Sequence, residues 1–338
     1  MKDHGLRRIL SSRQALYILA ANVLLAFVLV LVTPTFGTPY NAYVLLKATS
    51  ISVVVGLAQL VVLSVGQFNL SVGGLAGLAT AGVAVAAKAG APLAVIVLVA
   101  LAVGVLGGVL NGLLVAKTGL SGFILTLATG GVFTGLNYGI TQGAPTSPVS
   151  TALEQFGVGQ VLFVPNLFWL ALLVAAVLAA FYRWAPAGRA WLATGGNAEA
   201  AELSGVSRGA SVVGAYVVSG ALSAVAALMV VSNIKSAQPE TGNTWLILSF
   251  TVPIIAGALL SGGNAPVFTS VLAALLVTMI DNGLTLVNVD AYWVTLLQGV
   301  LIFIAVVVTR SRARRRARWG VSALAAPSRQ GATTGSSA

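Results

Sequence analysis

Side chains able to make or break covalent bonds are nearly missing from this chain. It carries one histidine, His4, no cysteine and seven acidic residues. That set cannot assemble a Ser-His-Asp relay or a metal cluster, so no catalytic residue and no metal site is expected. Disulfides and thiolate chemistry are excluded outright. No G-x-x-x-x-G-K-[ST] phosphate loop occurs, so the chain is not expected to hydrolyse nucleotide itself. What remains is non-covalent: Asn, Ser, Thr and Gln side chains that can hydrogen-bond a neutral polar solute. Any work done on such a solute needs energy from a partner or a gradient.

One stretch has the pattern of a docking element. From Gly188 it runs through Gly195, Gly196, Asn197, Glu199, Ala201, Glu202, Leu203, Ser204 and Gly205. Asn197 suits an N-cap, Glu199 and Glu202 suit the positive end of a helix, and Gly205 suits a C-cap. The spacing predicts a surface helix of about two turns, too short to be stable alone. It either docks into a partner or simply tethers its neighbours.

The elements around it are apolar. Hydrophobic residues make up 58% of the 338 and charged residues 7%, where a soluble domain carries about 25% charged. A spanning helix takes roughly 20 apolar residues. Apolar segments at 15–33, 42–65, 70–87, 92–116, 120–140, 161–182, 210–232, 244–260, 265–288 and 291–309 predict about ten spans. The expected class is therefore an all-α polytopic membrane protein. Residues 1–14 form a cytoplasmic N-terminus, 15–309 the membrane domain with an inside loop at 183–209, and 310–338 a basic, disordered tail. With both termini inside, fifteen of the 18 Lys and Arg residues lie inside, leaving Lys47, Lys88 and Lys235 outside or at outer helix ends, a bias that supports this topology. The cluster Arg310, Arg312, Arg314, Arg315, Arg316 and Arg318 is read as holding a helix end on anionic membrane lipid, not as a nucleic-acid site. The basic start is read as an uncleaved first helix.

Two places interrupt the apolar pattern. Residues 66–74 and 257–266 combine glycine with polar groups, as a helix break at membrane depth or a cytoplasmic turn would. An internal repeat is also visible: Val109-Leu110-Asn111-Gly112-Leu113 resembles Ile280-Asp281-Asn282-Gly283-Leu284, offset by 171 residues. Five spans per half is odd, so the halves would be inverted relative to one another, as in many transporters.

Several of these stretches resemble permease subunits of bacterial ABC importers for ribose and related monosaccharides. Thr194 to Val206 is similar to the family's GGN-x-E-A-A segment. Asn69-Leu70-Ser71-Val72-Gly73, Asn111 to Lys117, Phe123 to Thr129, Ser236-Ala237-Gln238-Pro239, Leu260-Ser261-Gly262-Gly263 and Asn282-Gly283-Leu284 match in the same order. The chain departs where the family usually has an acid at Asn69, often Asn at Asp281, and commonly Pro near Ser121. The resemblance implies a permease subunit in a bacterial inner membrane, paired with itself or a sister permease. It would work with a cytoplasmic ATPase that uses ATP and Mg, and with an external solute-binding protein. The surface helix would then be the coupling helix. Phe68, Asn69, Ser71, Thr126 and Asn282 are candidates to line a route or to hydrogen-bond one helix to another. Asp281, an ionisable group within a span, either serves the route or reaches the interface. The expected function is import of a monosaccharide such as ribose by alternating access. The rivals are a gradient-driven transporter, a related permease for branched-chain amino acids or nucleosides, and a structural scaffold.

Overall fold

Proline and glycine punctuate the helices in this chain. The computed structural model describes residues 3–289 together with 293, 296, 299 and 300. In chain order the helices are α1 (Asp3–Val32), α2 (Pro39–Ser64), α3 (Val72–Lys88), α4 (Leu93–Thr118), α5 (Gly122–Thr141), α6 (Thr151–Val158), α7 (Asn166–Trp184), α8 (Pro186–Gly196), α9 (Ala198–Leu203), α10 (Arg208–Ile234), α11 (Trp245–Ile255) and α12 (Val267–Leu286). A small hairpin, β1 (Gln160–Val161) and β2 (Val164–Pro165), joins α6 to α7. Pro39 opens α2 at its first turn, where its missing N–H costs nothing, and Thr38 caps it by accepting from the Asn41 N–H.

Among the described residues seven helices are long and apolar enough to cross a membrane, namely α1, α2, α4, α5, α7, α10 and α12. Helices α3 and α11, of 17 and 11 residues, are shorter. Span ten and the basic tail lie almost wholly outside the described residues. The N-terminal residues, expected to precede the first span, continue helix α1 from Asp3.

The core is built on α2 and α10, the most buried of the long helices. They pack on each other, and each packs on a long and a short helix of its own, α2 also meeting α7 and α10 also meeting α6. Helix α10 takes α4 and α3, while α2 takes α12 and α11. Exchanging α2 with α10, α3 with α11 and α4 with α12 returns the same set of packed pairs. The helices exchanged begin 169, 173 and 174 residues apart, bracketing the offset read from the sequence. Among these six helices the packing thus has the symmetry of a repeat, which α7 on α2 and α1 on α12 do not share.

Small residues let these helices approach. Gly104 and Gly220 meet backbone to backbone, and Gly108 lies against the Tyr216 carbonyl. Lipid tails are as apolar as the side chains, so helices gain from close packing rather than from hydrophobic exclusion. A methyl group at any of these glycines would collide with main chain.

Candidate functional site

The first interruption is a helix break within the protein, not an exposed turn. Helix α2 ends in a Schellman motif: Gly66 sits at φ +75°, its N–H donates to the Leu63 carbonyl, and the Gln67 N–H donates to that of Val62. The chain then runs inside the bundle to α3. Asn69, 1% exposed, knots this segment. Its Nδ2 donates to Ser219 Oγ at 2.9 Å, and its Oδ1 accepts from the Ser71 N–H and hydroxyl at 3.0 and 2.7 Å. Asn111 Nδ2 donates to Ser71 Oγ at 2.7 Å, and the Leu70 N–H donates to Thr126 Oγ1 at 2.9 Å. The Tyr216 hydroxyl donates to the Phe68 carbonyl at 2.6 Å. Buried backbone must find partners inside the protein, and these side chains supply them. Asn69, Ser71 and Thr126, candidates either to line a route or to hydrogen-bond one helix to another, are enclosed and bonded to neighbouring elements.

Of the remaining candidates, Phe68 belongs to the same segment and Asn282 and Asp281 to α12. Phe68 is half-buried and stacks on Phe250 of α11, ring centres 6.1 Å apart. Asn282 of α12 exchanges two amide hydrogen bonds with Asn41 of α2, at 2.9 and 3.0 Å. Its neighbour Asp281 is half-buried near the end of α12. Asn282 therefore clasps two helices.

A second break escaped the sequence reading. Residues 235–244, which link α10 to α11, descend into the bundle. Ala237 pairs with Thr146 at the top, Asn137 Nδ2 donates to the Pro239 carbonyl at 2.6 Å, and Gly242 meets Gly73 backbone to backbone. Gly73 lies fifteen residues before the end of α3. At 1.5 Å rise per residue this places Gly242 about 22 Å below that end. The starts of the two short helices, α3 and α11, thus meet deep in the protein.

The second break is open on one side. Gln238, Glu240, Asn243 and Thr244 are exposed, and Asn243 Nδ2 donates to the Tyr138 hydroxyl of α5 at 3.0 Å. Gly131, Gly135 and Gly139 of α5, four residues apart, look onto open space. Irregular backbone and exposed polar groups at membrane depth cannot face lipid. This face must border water or another protein. The available sequence signal was Gln238-Pro239-Glu240-Thr241-Gly242-Asn243-Thr244, a polar run with a carboxylate between two apolar spans.

The stretch expected to dock a partner holds two helices, α8 and α9. The 11-residue α8 starts at Pro186, and Asn197 then caps α9, its Oδ1 accepting from the Ala200 N–H at 3.1 Å. Gly205, at φ +82°, closes α9 in a Schellman motif: its N–H donates to the Glu202 carbonyl and the Val206 N–H to that of Ala201. Ala201 faces inward; Glu199, Glu202, Ser204 and Gly205 face out. Leu203 is 92% exposed, an apolar side chain with nothing to cover it.

Behind α9 the contact is tight. Gly195, expected to belong to the docking surface, is packed inward against the Ser64 carbonyl and the Gly263 N–H, while Gly196 stays exposed. The Gly263 N–H donates to the Ser64 carbonyl at 3.0 Å, and Gly262 touches both Gly66 and Gly195. Residues 257–266 are thus a turn folded over this junction. Trp191 of α8 packs edge-on to Phe181 and Tyr182, and the Tyr182 hydroxyl bonds Ser64 Oγ at 2.9 Å. The end of α8, the entry to the first break and the exit of α11 share one backbone junction.

A family model described as the permease component of branched-chain amino acid transport systems matches residues 41–306. The chain is 30% identical over 291 residues to the ribose import permease RbsC of Bacillus subtilis, covering 86% of this chain and 90% of that protein. It is 28% identical over 283 residues to the L-arabinose permease AraH of Escherichia coli, covering 84% and 86%. A solved structure described as an inward-facing metal-chelate type ABC transporter aligns over 87% of this chain and 99% of that one, with a TM-score of 0.56 at 14% identity, a likeness of fold. The matched segment takes in nearly the whole membrane domain, and this chain belongs to that family of multi-pass transport-system permease components.

Proposed function

We propose that the chain is the translocation subunit of an ATP-driven importer for a monosaccharide such as ribose, or a similar small polar solute. The carrying observation is the glycine junction that joins the end of α8 to the first helix break and to the exit of α11. A push on α9 by a cytoplasmic ATPase reaches Ser64 and Gly66 at one break and, through Gly262 and Gly263, the end of α11, whose other end opens the second break. ATP and Mg are used by that partner, and this chain contributes no covalent step. Alternating access follows if the two breaks open in turn around the point where α3 and α11 meet.

Two further partners fit. A second permease copy, identical or a sister chain, packs on α5, whose Gly131, Gly135 and Gly139 are spaced for close helix approach. The route runs between the copies, where Gln238, Glu240, Asn243 and Thr244 offer the hydrogen-bonding groups that a hydroxylated solute needs. An external binding protein delivers the solute. The likeness to ribose and arabinose permeases supports a sugar cargo. Arg183, Arg189 and Arg208, beside α8 and α10, support a cytoplasmic position for that side and for both termini.

The test is reconstitution in proteoliposomes with the cognate ATPase and binding protein, scoring uptake of radiolabelled ribose, arabinose, leucine and a nucleoside. Uptake of a pentose that requires internal ATP is expected. Uptake of leucine or the nucleoside alone would replace the cargo, and uptake without ATP would replace the mechanism.

A further inference from the structure

The loop between α6 and α7 ends in a hairpin whose tip is turned outward. Gln160 pairs with Pro165 and Val161 with Val164, leaving Leu162 and Phe163 as the two turn residues. Both adopt left-handed backbone, φ +52° and +64°, the geometry of a type I′ turn, normally the province of Asn and Gly. Bulky side chains rarely occupy that region, yet here two are held in it, 79% and 91% exposed.

Its surroundings say what covers the tip. The indole N–H of Trp169 donates to the Val161 carbonyl at 3.3 Å, fastening the hairpin to α7. Trp169 then continues as an exposed stripe through Leu173 and Val177 down the outer wall of α7. That helix is long and apolar enough to span a membrane, so its exposed stripe is the lipid-facing side. Tryptophan at the end of such a stripe marks the membrane interface. No charged residue occurs between Glu154 and Arg183, so the tip offers nothing for charge pairing with a soluble protein.

We propose that the Leu162–Phe163 tip is an interfacial anchor seated in the headgroup and acyl boundary of the outer leaflet, its partner being membrane lipid. Anchored there, the hairpin fixes the end of α6, which the Tyr43 hydroxyl also holds through the Val158 carbonyl at 2.7 Å. It sets where the outer segment sits relative to the bilayer.

The absence of native cysteine makes a direct test simple. A nitroxide is attached to Phe163→Cys, and separately to Leu162→Cys, in the full chain reconstituted in phosphatidylcholine and phosphatidylglycerol vesicles. Collision rates with oxygen, which enters lipid, and with a water-soluble nickel chelate are compared. At both positions oxygen collisions are expected to exceed chelate collisions, whereas Leu203→Cys on α9 should show the reverse. Chelate collisions exceeding oxygen collisions at 162 and 163 would overturn the anchor. So would shielding that arises only on adding a solute-binding protein. The measurement needs no transport activity, so its outcome stands apart from the transport reading.

Discussion

Replacing Leu203 with Ala separates what α9 does for the fold from what it does for a partner. Leu203 is 92% exposed in the chain alone, so truncating it removes almost no internal packing. Exposed substitutions of this kind change stability by less than about 0.5 kcal/mol. If Leu203 is buried in an ATPase groove, the same change removes three carbons from an apolar contact. At about 0.8 kcal/mol per carbon, scaled by the exposed fraction, the loss is about 2.2 kcal/mol. That corresponds to roughly 40-fold weaker association per docked helix. The assay is binding of purified ATPase to permease in nanodiscs by interferometry, with thermal unfolding of the permease measured alongside. Weakened binding with unchanged unfolding is expected. Unchanged binding would refute α9 as the docking element, and a large stability loss would show that the exposed geometry is wrong.

Other substitutions probe the remaining parts. Asn69→Ala strands Ser219, Ser71 and the Ser71 N–H in a buried site, at about 1–3 kcal/mol for each group left unpaired, and should lower the unfolding temperature in detergent. Asn69→Asp keeps the Ser71 contacts and lets the Ser219 hydroxyl donate, so it should unfold near the parent temperature; equal loss in both variants would count against the knot. Gly195→Ala drives a methyl group into the Ser64 carbonyl and the Gly263 N–H. Overpacking of this kind costs about 1–3 kcal/mol, and ATP hydrolysis should become uncoupled from uptake; intact coupling would sink the junction as the transmission route. Gly135→Leu meets open space in the single chain, so it should insert normally but fail to pair by chemical cross-linking, and normal pairing would remove α5 from the interface.

What could be read from the residues was whatever is decided locally. Asn197 and Gly205 cap α9 because an N-cap oxygen and a left-handed residue act within one turn, and both behave as their types demand. The polar, glycine-rich run at 66–74 announced a break for the same reason. Two things were hidden. The apolar run Val161-Leu162-Phe163-Val164 read as the start of a span, because hydropathy does not distinguish a hairpin from a helix; Pro165, just before α7, was the available signal. The descent of 235–244 was hidden because only tertiary contacts, such as Asn137 to Pro239 and Gly242 to Gly73, reveal its depth. The same contacts decide that Asn69, Ser71 and Thr126 bind the fold together. From residue type alone, a buried structural amide and a route-lining amide look alike.

The central claim is that ATP hydrolysed by a separate subunit drives solute through this chain. Proteoliposomes holding the permease, with and without the ATPase, binding protein and internal ATP, measure it directly. Accumulation of labelled solute against its gradient is expected only in the complete, ATP-loaded vesicles. Accumulation by the permease alone under an imposed proton or sodium gradient would contradict it.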